Sequence, residues 1–365
     1  MSKNKSIQLG LCCLNTLLRN KNPPIFCSRK VIIKTIEEKG IDILKEKIIQ
    51  NLKDVLTMMH WNENNGIKVF RLSSELFPHK SNPKVQDYDF DFALPLLKEI
   101  GKLSKEYNQR LTFHPGQYNV IGTPNINSFK QTCNDLSYHA TVLDLMELDE
   151  NSVMVIHGGG IYNDKEKTIE RWCNQYHQLP DNVKKRIVLE NCEKCFSIED
   201  CLRISKIVNI PVVFDTHHYD CYCKLHPDET FKEPSHYIFE ILNTWEKRGI
   251  KPKFHVSEQG EGRIGHHSNF IETIPQYLLE IPDLYCVDID IMIEAKMKEQ
   301  AIFKLYEKYP FLNCIIDKTK VKLKLKKQFP SVEWVIKHDD SCLCCNPPLP
   351  KKLKLRRKNV SIIDK

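Results

Sequence analysis

The sequence alternates short apolar runs with longer segments of helical period, and this order constrains the fold more than any other feature. The alternation extends from near residue 6 to near residue 310 and gives eight strand and helix pairs. Repeated β and α units imply a parallel sheet with right-handed crossovers. The predicted strands cover residues 6–13, 67–73, 110–114, 152–157, 186–190, 211–215, 252–256 and 287–294.

Eight such units favour a (β/α)8 TIM barrel, and a doubly wound open sheet is the alternative. We predict that the barrel occupies residues 1–317 and that residues 318–365 form a basic C-terminal extension. The extension holds 14 Lys or Arg against 4 Asp or Glu, whereas the whole chain has a net charge of +7. Its two basic blocks, KTKVKLKLKK and KKLKLRRK, suit a phosphate backbone or a nuclear import receptor, although a merely solvated tail is equally compatible.

The compartment is indicated by two features of the sequence. The first residues, MSKNKSIQLG, lack the apolar stretch of a signal peptide, and no segment reaches the roughly 18 apolar residues of a membrane span. We therefore expect a soluble, intracellular and monomeric protein without a membrane partner, in either the cytoplasm or the nucleus.

The fifteen cysteines are scattered through a long chain, so we expect reduced thiols rather than disulfides. A zinc site is an alternative at two places, although neither shows two complete half-sites at standard spacing. These places are Cys192 with Cys195, and His338 with Cys342, Cys344 and Cys345.

Residues of metal-ligand type lie at or near the ends of six predicted strands. A lone histidine at a strand end is usually structural, but six such residues in succession favour a metal site. In a barrel the carboxyl ends of the strands meet at one rim, where barrel enzymes keep their active sites. The six residues are His114, His157, Glu190, Asp215, His255 and Glu294.

This mixture of carboxylates and neutral imidazoles suits two or more divalent cations, with carboxylates bridging between them. Two histidines in the loops beyond the sixth and seventh strands, His218 and His267, are natural further ligands. Their neighbours His217 and His266 are less favoured and are expected to support the ligands or face solvent.

Lys253 precedes His255 by two residues, so along a strand both side chains should point into the site. An ammonium group cannot bind a metal. Lys253 therefore either binds phosphate or, as a more speculative hypothesis, carries a carbamate that bridges the ions.

Seven short stretches, taken together, carry a family resemblance. They are FRLSSELFP (70–78), FHPGQYNVIG (113–122), IHGGG (156–160), VLEN (188–191), FDTHH (214–218), PKFHVS (252–257) and MIEAKMKEQA (292–301). In this order they resemble the ultraviolet-damage endonuclease family over roughly residues 6 to 301. The resemblance implies a barrel enzyme, related in architecture to endonuclease IV, that uses divalent metals to cut double-stranded DNA immediately 5′ of ultraviolet photoproducts.

The resemblance also implies roles for the site residues. The family's metal ligands fall on the six strand-end residues and on His218 and His267, which would hold two or three ions, usually manganese. The catalytic residues implied are Lys253, Glu190 and Glu294.

Three residues match family positions that contact DNA. Gln117 and Tyr118 match the probe residues that wedge into the duplex at the lesion. Physically, a tyrosine ring offers a stacking face and a glutamine can bond to orphaned bases. Asn15 matches a family residue beside the lesion.

The sequence departs from the family pattern at three positions. Asn82 stands where the family usually has a further metal histidine, and His79 is the candidate replacement. Leu11 stands where an aromatic lesion contact is frequent, and Cys192 where an acid is common. These differences leave the number of ions and the breadth of lesion recognition open.

The function that these observations favour is metal-assisted hydrolysis of a phosphodiester in damaged DNA. Three alternatives remain open. An abasic-site endonuclease would differ chiefly in the lesion accepted, and a metal-dependent sugar isomerase would share the barrel and its ligands. A protein that marks damage without cutting would need a broken metal site.

Overall fold

The computed structural model describes residues 6–313, and eight strands form its centre. They are β1 (Ile7–Cys12), β2 (Val69–Arg71), β3 (Arg110–Thr112), β4 (Met154–His157), β5 (Ile187–Glu190), β6 (Val212–Asp215), β7 (Lys253–Val256) and β8 (Ile289–Ile293). Each strand lies within its predicted range. The sheet order is β3-β2-β1-β8-β7-β6-β5-β4, and all neighbouring strands are parallel.

The sheet closes into a barrel between β3 and β4 through one bridge. Phe113, just beyond β3, pairs in parallel with Met154. Its amide donates to the carbonyl of Val153 (2.9 Å), and its carbonyl accepts from the amide of Val155 (3.0 Å). The predicted (β/α)8 TIM barrel is confirmed, and the alternative of an open sheet is wrong.

Helices cover the outside of the barrel. They are α1 (Thr16–Arg19), α2 (Ile33–Lys39), α3 (Asp42–Asn64), α4 (Leu94–Tyr107), α5 (Ile126–Leu145), α6 (Lys165–Tyr176), α7 (Asp181–Lys184), α8 (Ile198–Val208), α9 (Thr216–Leu225), α10 (Ile238–Glu246), α11 (Gln276–Leu279), α12 (Ile281–Tyr285) and α13 (Glu299–Lys308). Short 3-10 turns occupy Asp91–Ala93, Pro234–Tyr237 and Pro310–Leu312.

The alternation of side chains along β8 shows how the barrel separates its outer and inner faces. Its three isoleucines belong to the large hydrophobic core that includes helix residues. Met292, between two of them, packs instead with Val69 and two β1-region cysteines. Gly10 of β1 leaves room for it, because a Cβ there would lie 2.9 Å from the terminal carbon of Met292. Side chains of the same parity as Met292 therefore enter the barrel.

A group of ion-paired side chains lies at the amino end of the barrel interior. The carboxylate of Asp290 on β8 is fully buried and lies 2.8 Å from Arg110 Nη1 of β3. Its other oxygen accepts a hydrogen bond from Lys251, whose ammonium also donates to Gln8 (3.2 Å). The chain's own cations thus neutralise this carboxylate.

Three further expectations concern membrane-spanning helices, the cysteines and the basic extension. Within residues 6–313 no helix is long and apolar enough to cross a membrane. The structure assigns no disulfide to the cysteines of the described part. The basic extension at 318–365 and its zinc alternative lie outside the described residues, so the domain boundary at 317 stays a prediction.

Candidate metal centre

The structure brings six of the predicted ligands together at the carboxyl end of the barrel. They form two groups that share one residue, and within each group the ligand atoms all lie within 4.8 Å of one another. The groups are His114, His157 and Glu190, and Glu190, Asp215, His255 and Glu294.

The strand register explains why these residues meet. His157 and Glu190 are the last residues of adjacent strands and are paired across them. Asp215 at the end of β6 is paired in the same way with His255 of β7. Because the strands are parallel and in step, side chains of one parity converge at this end of the barrel.

Glu190 is the centre of the cluster and is fully buried. Its Oε2 lies 3.0 Å from His114 Nε2 and 3.1 Å from His157 Nε2. Its Oε1 lies 2.8 Å from His255 Nδ1 and 3.5 Å from His218 Nδ1. Although burial opposes it, the imidazoles of His255 and His157 hold the pKa of Glu190 well below its usual range. The carboxylate is therefore ionised and offers lone pairs to both groups.

Asp215 is held by the start of α9 and keeps one oxygen available. Its Oδ1 accepts from the backbone amides of His217 and His218, each at 2.8 Å. Its Oδ2 is buried and has no hydrogen-bond partner among residues 6–313. Burial raises the pKa of Asp215 to about 6. A buried oxygen without a partner is costly unless something binds it.

His218 and His267 border the cluster without belonging to either group. His218 Nδ1 lies 3.0 Å from the carbonyl oxygen of Asn191 and 3.9 Å from Asp215 Oδ2. Although burial opposes it, the Asp215 and Glu190 carboxylates raise the pKa of His218 to about 10. The ring of His267 is centred 6.5 Å from that of His218, and its buried Nδ1 has no partner in the described part of the chain. Burial lowers the pKa of His267 to about 4, which leaves the neutral imidazole that metals bind.

The two less favoured histidines have other contacts. His217 is buried, and its Nε2 lies 3.5 Å from the thiol of Cys221 one turn along α9. His266 is partly exposed and accepts a hydrogen bond from Arg263 (3.0 Å). Neither residue belongs to the two ligand groups.

Lys253 lies directly beneath the cluster and is fully buried. Its Nζ is 2.8 Å from His255 Nε2, so both side chains enter the barrel as the two-residue spacing predicts. Burial, helped by the charges of Arg71 and Arg110, lowers the pKa of Lys253 to about 7. Burial also lowers the pKa of His255 to about 3. The amine therefore exchanges between its charged and neutral forms near neutral pH.

Sequence reasoning missed Arg71, the last residue of β2. Its guanidinium is fully buried, donates to Glu294 Oε1 and lies 3.1 Å from His255 Nε2. Although burial opposes it, Arg71 and His255 lower the pKa of Glu294 to about 2. The stretch FRLSSELFP contains Arg71, but no local signal points to a partner 223 residues away.

Asn191 was also missed, although it follows Glu190 in VLEN. Its side chain accepts from the Asp215 amide (2.8 Å) and donates to the Asp215 carbonyl (3.0 Å). Its own carbonyl contacts His218. Asn191 thus joins the ends of β5 and β6 and orients two predicted ligands.

The positions that depart from the family pattern lie outside the two groups. His79 Nε2 is 2.7 Å from the carbonyl of Val31, and its Nδ1 is 3.2 Å from the amide of Asn82. The structure therefore does not bring His79 to the cluster, because one ring nitrogen is engaged by Val31 in the loop before α2 and the other by Asn82 in its own loop. Leu11 is buried in the hydrophobic core, and Cys192 is buried beside the cluster.

Gln117 and Tyr118 are exposed on the loop after β3, at the same rim as the cluster. The Tyr118 ring lies directly over Gly116. A Cβ on that glycine would lie only 2.5 Å from the ring. Asn15 is fully buried instead. Its Oδ1 accepts from the Leu18 amide (2.8 Å) and caps α1, while its Nδ2 has no partner among the residues that the structure describes.

The donor set fits divalent cations. Carboxylate oxygens and neutral imidazole nitrogens are the ligands that such ions share in proteins. Two buried ligand atoms, Asp215 Oδ2 and His267 Nδ1, lack any partner within residues 6–313, and a bound cation would satisfy them. The cluster can therefore hold metal ions.

Comparisons with known proteins found a matching family model, similar sequences and a similar solved structure. The family model described as UV-endonuclease UvdE matches residues 7–326. A protein of Acanthamoeba polyphaga mimivirus is 41% identical over 85% of this chain and 94% of its own length. The UV-damage endonuclease of Schizosaccharomyces pombe is 37% identical over 84% of this chain, and the match spans about half (51%) of that relative. The crystal structure of SacUVDE superimposes with a TM-score of 0.70 and 27% identity, over 84% of this chain and 100% of that one.

Proposed function

The chain belongs to the UV-endonuclease UvdE family, and we propose that it is a DNA repair endonuclease that nicks the strand immediately 5′ of ultraviolet photoproducts. Both cyclobutane dimers and 6-4 photoproducts are proposed substrates. The observation that carries the proposal is the buried cluster around Glu190, because metal-assisted phosphodiester hydrolysis needs such a donor set. The UV-damage endonuclease of Schizosaccharomyces pombe supports the choice of substrate.

The proposed cofactor is a cluster of two or three divalent ions, with manganese as the first candidate. When bound, such ions lower the pKa of a bound water and offset charge on the scissile phosphate. Glu190 contributes to both ligand groups, so it would help to hold an ion in each. The proposed ligands are His114, His157, Glu190, Asp215, His218, His255, His267 and Glu294.

Arg71 and Lys253 lie beneath the cluster. Arg71 keeps one carboxylate ionised, and Lys253 can take up or release a proton. Arg71 donates to Glu294, which keeps that carboxylate in the form that binds cations. Lys253, with a pKa of about 7, is charged or neutral near neutral pH. As an ammonium it would attract the phosphate, and as a neutral amine it could form a carbamate. No protein nucleophile is required, and the products should be a 3′-hydroxyl and a 5′-phosphate.

The exposed pair Gln117 and Tyr118 is proposed to enter the duplex at the lesion. Tyr118 is 56% exposed, so its ring can stack on bases once the damaged pair has left the helix. Gln117 beside it can bond to the orphaned bases. Asn15 is buried, and its side-chain NH₂ group has no hydrogen-bond partner within residues 6–313. Its proposed role beside the lesion therefore requires that DNA reach this NH₂ group from the rim of the barrel.

The basic extension at 318–365 is proposed to add affinity that does not depend on sequence. Its 14 basic residues can displace counterions from the phosphate backbone. Deleting it should leave cutting intact at low salt and weaken cutting as salt rises. Loss of cutting at every salt concentration would contradict this division of roles.

The test is nicking of a duplex oligonucleotide with one cyclobutane thymine dimer, in Mn²⁺ and in EDTA, with the cut mapped to the nucleotide. We expect a Mn²⁺-dependent nick just 5′ of the dimer and none in undamaged duplex. Parallel substrates with an abasic site or an aldose identify the abasic-site and isomerase alternatives. Cutting restricted to abasic DNA, or no cutting by metal-loaded protein, would refute the proposal.

A further inference from the structure

Asp135 of α5 is a buried carboxylate that belongs to neither charged cluster of the barrel. Its side chain is almost completely buried, with 1% of the residue exposed. Its Oδ2 accepts a hydrogen bond from Asn119 Nδ2 (2.7 Å), and its Oδ1 accepts one from Ser81 Oγ (2.6 Å). Asn119 lies in the loop after β3, and Ser81 lies in the loop after β2. One carboxylate therefore joins two loops of the carboxyl rim.

Asn119 closes the turn that carries Gln117 and Tyr118. Its backbone amide and its side-chain amide both donate to the carbonyl of Gly116, each at 3.0 Å. The second side-chain hydrogen goes to Asp135. Because both hydrogens of this buried amide are used, the turn is fixed to α5 in one orientation.

Helix α5 holds the same two loops at further points. Thr132, one turn before Asp135, accepts from the backbone amide of Val120 (3.1 Å) just after the turn. Tyr138 donates to the carbonyl of Ser74 (2.6 Å) in the loop after β2. These contacts make α5 a common support for both loops, with Asp135 between its other two attachment points.

We propose that Asp135 is a positioning residue that orients Gln117 and Tyr118 for entry into the damaged duplex. The inference rests on the proposed function, since it deepens the role of the same rim. Both oxygens of a carboxylate accept hydrogen bonds, so one residue can receive a hydrogen from each loop. An amide offers one oxygen, so it cannot accept from both Asn119 and Ser81; if its oxygen stays towards Asn119, the Ser81 hydroxyl loses its acceptor. A buried carboxylate is costly, and an apolar side chain would suffice if this site served only packing.

The variant Asp135→Asn tests the proposal because it keeps shape and removes one acceptor. We expect single-turnover nicking of the dimer duplex to fall by about tenfold to a hundredfold, as for other misplaced catalytic elements. Fluorescence of 2-aminopurine placed opposite the dimer, which reports unstacking, should fall in parallel. Bound manganese and the Kd for undamaged duplex should match those of the wild type, because the cluster and the outer surface are unchanged.

Asp144→Asn is the matched control on the same helix. Asp144 pairs with Arg186 (2.7 Å) and touches neither rim loop, so its loss should leave nicking and the fluorescence signal unchanged. Asn119→Ala is the second variant and should reproduce the Asp135→Asn defect without altering α5. Combining the two changes should cost less than the sum of their separate effects, because Asn119 and Asp135 share one hydrogen bond.

The outcomes separate this inference from the proposed function. If the wild type fails to nick the dimer duplex, the proposed function is wrong. If the wild type nicks and both variants nick equally well, only the positioning role is refuted. The role is also refuted if either variant loses manganese or undamaged-duplex binding in proportion to its nicking, because that pattern indicates general disruption.

Discussion

The two ends of the barrel interior both bury charged groups, but they satisfy them differently. At the amino end the Asp290 carboxylate meets Arg110 and Lys251, so the chain itself supplies the opposite charge. At the carboxyl end Glu190 meets imidazoles, and Asp215 keeps an oxygen without a partner within residues 6–313.

Glu294 at the carboxyl end is paired with Arg71 but still belongs to a ligand group. The contrast therefore lies between Asp290 and the pair Glu190 and Asp215. Asp290, neutralised by the chain's own cations, supports the fold, whereas Glu190 and Asp215 have lone pairs for external cations.

Two lysines two residues apart repeat this contrast. Lys251 has a side chain that is 25% exposed and bonded to Asp290. Lys253 is fully buried and faces the imidazole of His255. The same residue type therefore acts as a structural cation at one end and as a titrating amine at the other.

Glu190→Gln should have the largest effect, because Glu190 alone belongs to both ligand groups. The amide cannot bridge two cations with two charged oxygens. We expect single-turnover nicking of the dimer duplex to fall by at least about a thousandfold, or roughly 4 kcal/mol of transition-state stabilisation. Nicking close to that of the wild type would mean that Glu190 takes no part in the chemistry, and it would contradict the role given to the carboxyl end of the barrel.

Asp290→Asn is the matched change at the amino end and should act on stability instead. It leaves Arg110 and Lys251 without their opposite charge in the barrel interior. The free energy of unfolding in a denaturant titration should fall by about 3–5 kcal/mol. Nicking by the folded protein should fall far less than in Glu190→Gln. What it loses should come through Lys253, which pairs with Asp290 across the strands and lies in the field of Arg110. Lost nicking at unchanged stability would reverse the roles of the two ends.

The two lysines should differ in their reaction with carbon dioxide. Only a neutral amine attacks carbon dioxide, and a pKa of about 7 leaves Lys253 mostly neutral at pH 8 and mostly charged at pH 6. NMR spectra recorded with carbon-13 bicarbonate should show a carbamate at pH 8 that weakens towards pH 6. Lys253→Arg should abolish the signal, and Lys251→Arg should keep it. A signal that follows Lys251 would contradict the contrast.

His79→Gln should have the smallest effect. Both ring nitrogens of His79 are engaged, by Val31 and Asn82, away from the cluster. We expect unchanged bound manganese and nicking within about twofold of the wild type, as for most substitutions outside a functional site. A marked loss of manganese, measured by elemental analysis, would mean that the loop brings His79 to the metal when ions bind.

The sequence predicted the barrel and the convergence of the six candidate ligands because both follow from short-range periodicity. Alternating elements imply parallel strands, and equal parity at strand ends places Glu190, Asp215 and their neighbours on one rim. The family resemblance added Gln117 and Tyr118, whose exposure has no periodic signal.

The contacts that the sequence did not predict join residues far apart along the chain. Arg71 meets Glu294 across 223 positions, and the Asp290 group joins β3 to β8 across 180. An arginine in an apolar strand has no local pattern that names its partner. Asn15 entered through the resemblance, and the sequence did not predict that it is fully buried and caps α1.

The most direct test of the central claim is to titrate the metal-free protein with Mn²⁺ and to count the ions that each chain binds. Electron paramagnetic resonance spectra of the loaded protein follow. A carboxylate that bridges two ions couples their spins magnetically. We predict at least two ions per chain and an exchange-broadened spectrum that Glu190→Gln converts to that of isolated ions. Binding of no ion, or of one isolated ion by the wild type, would contradict a bridged metal centre at the carboxyl end of this barrel.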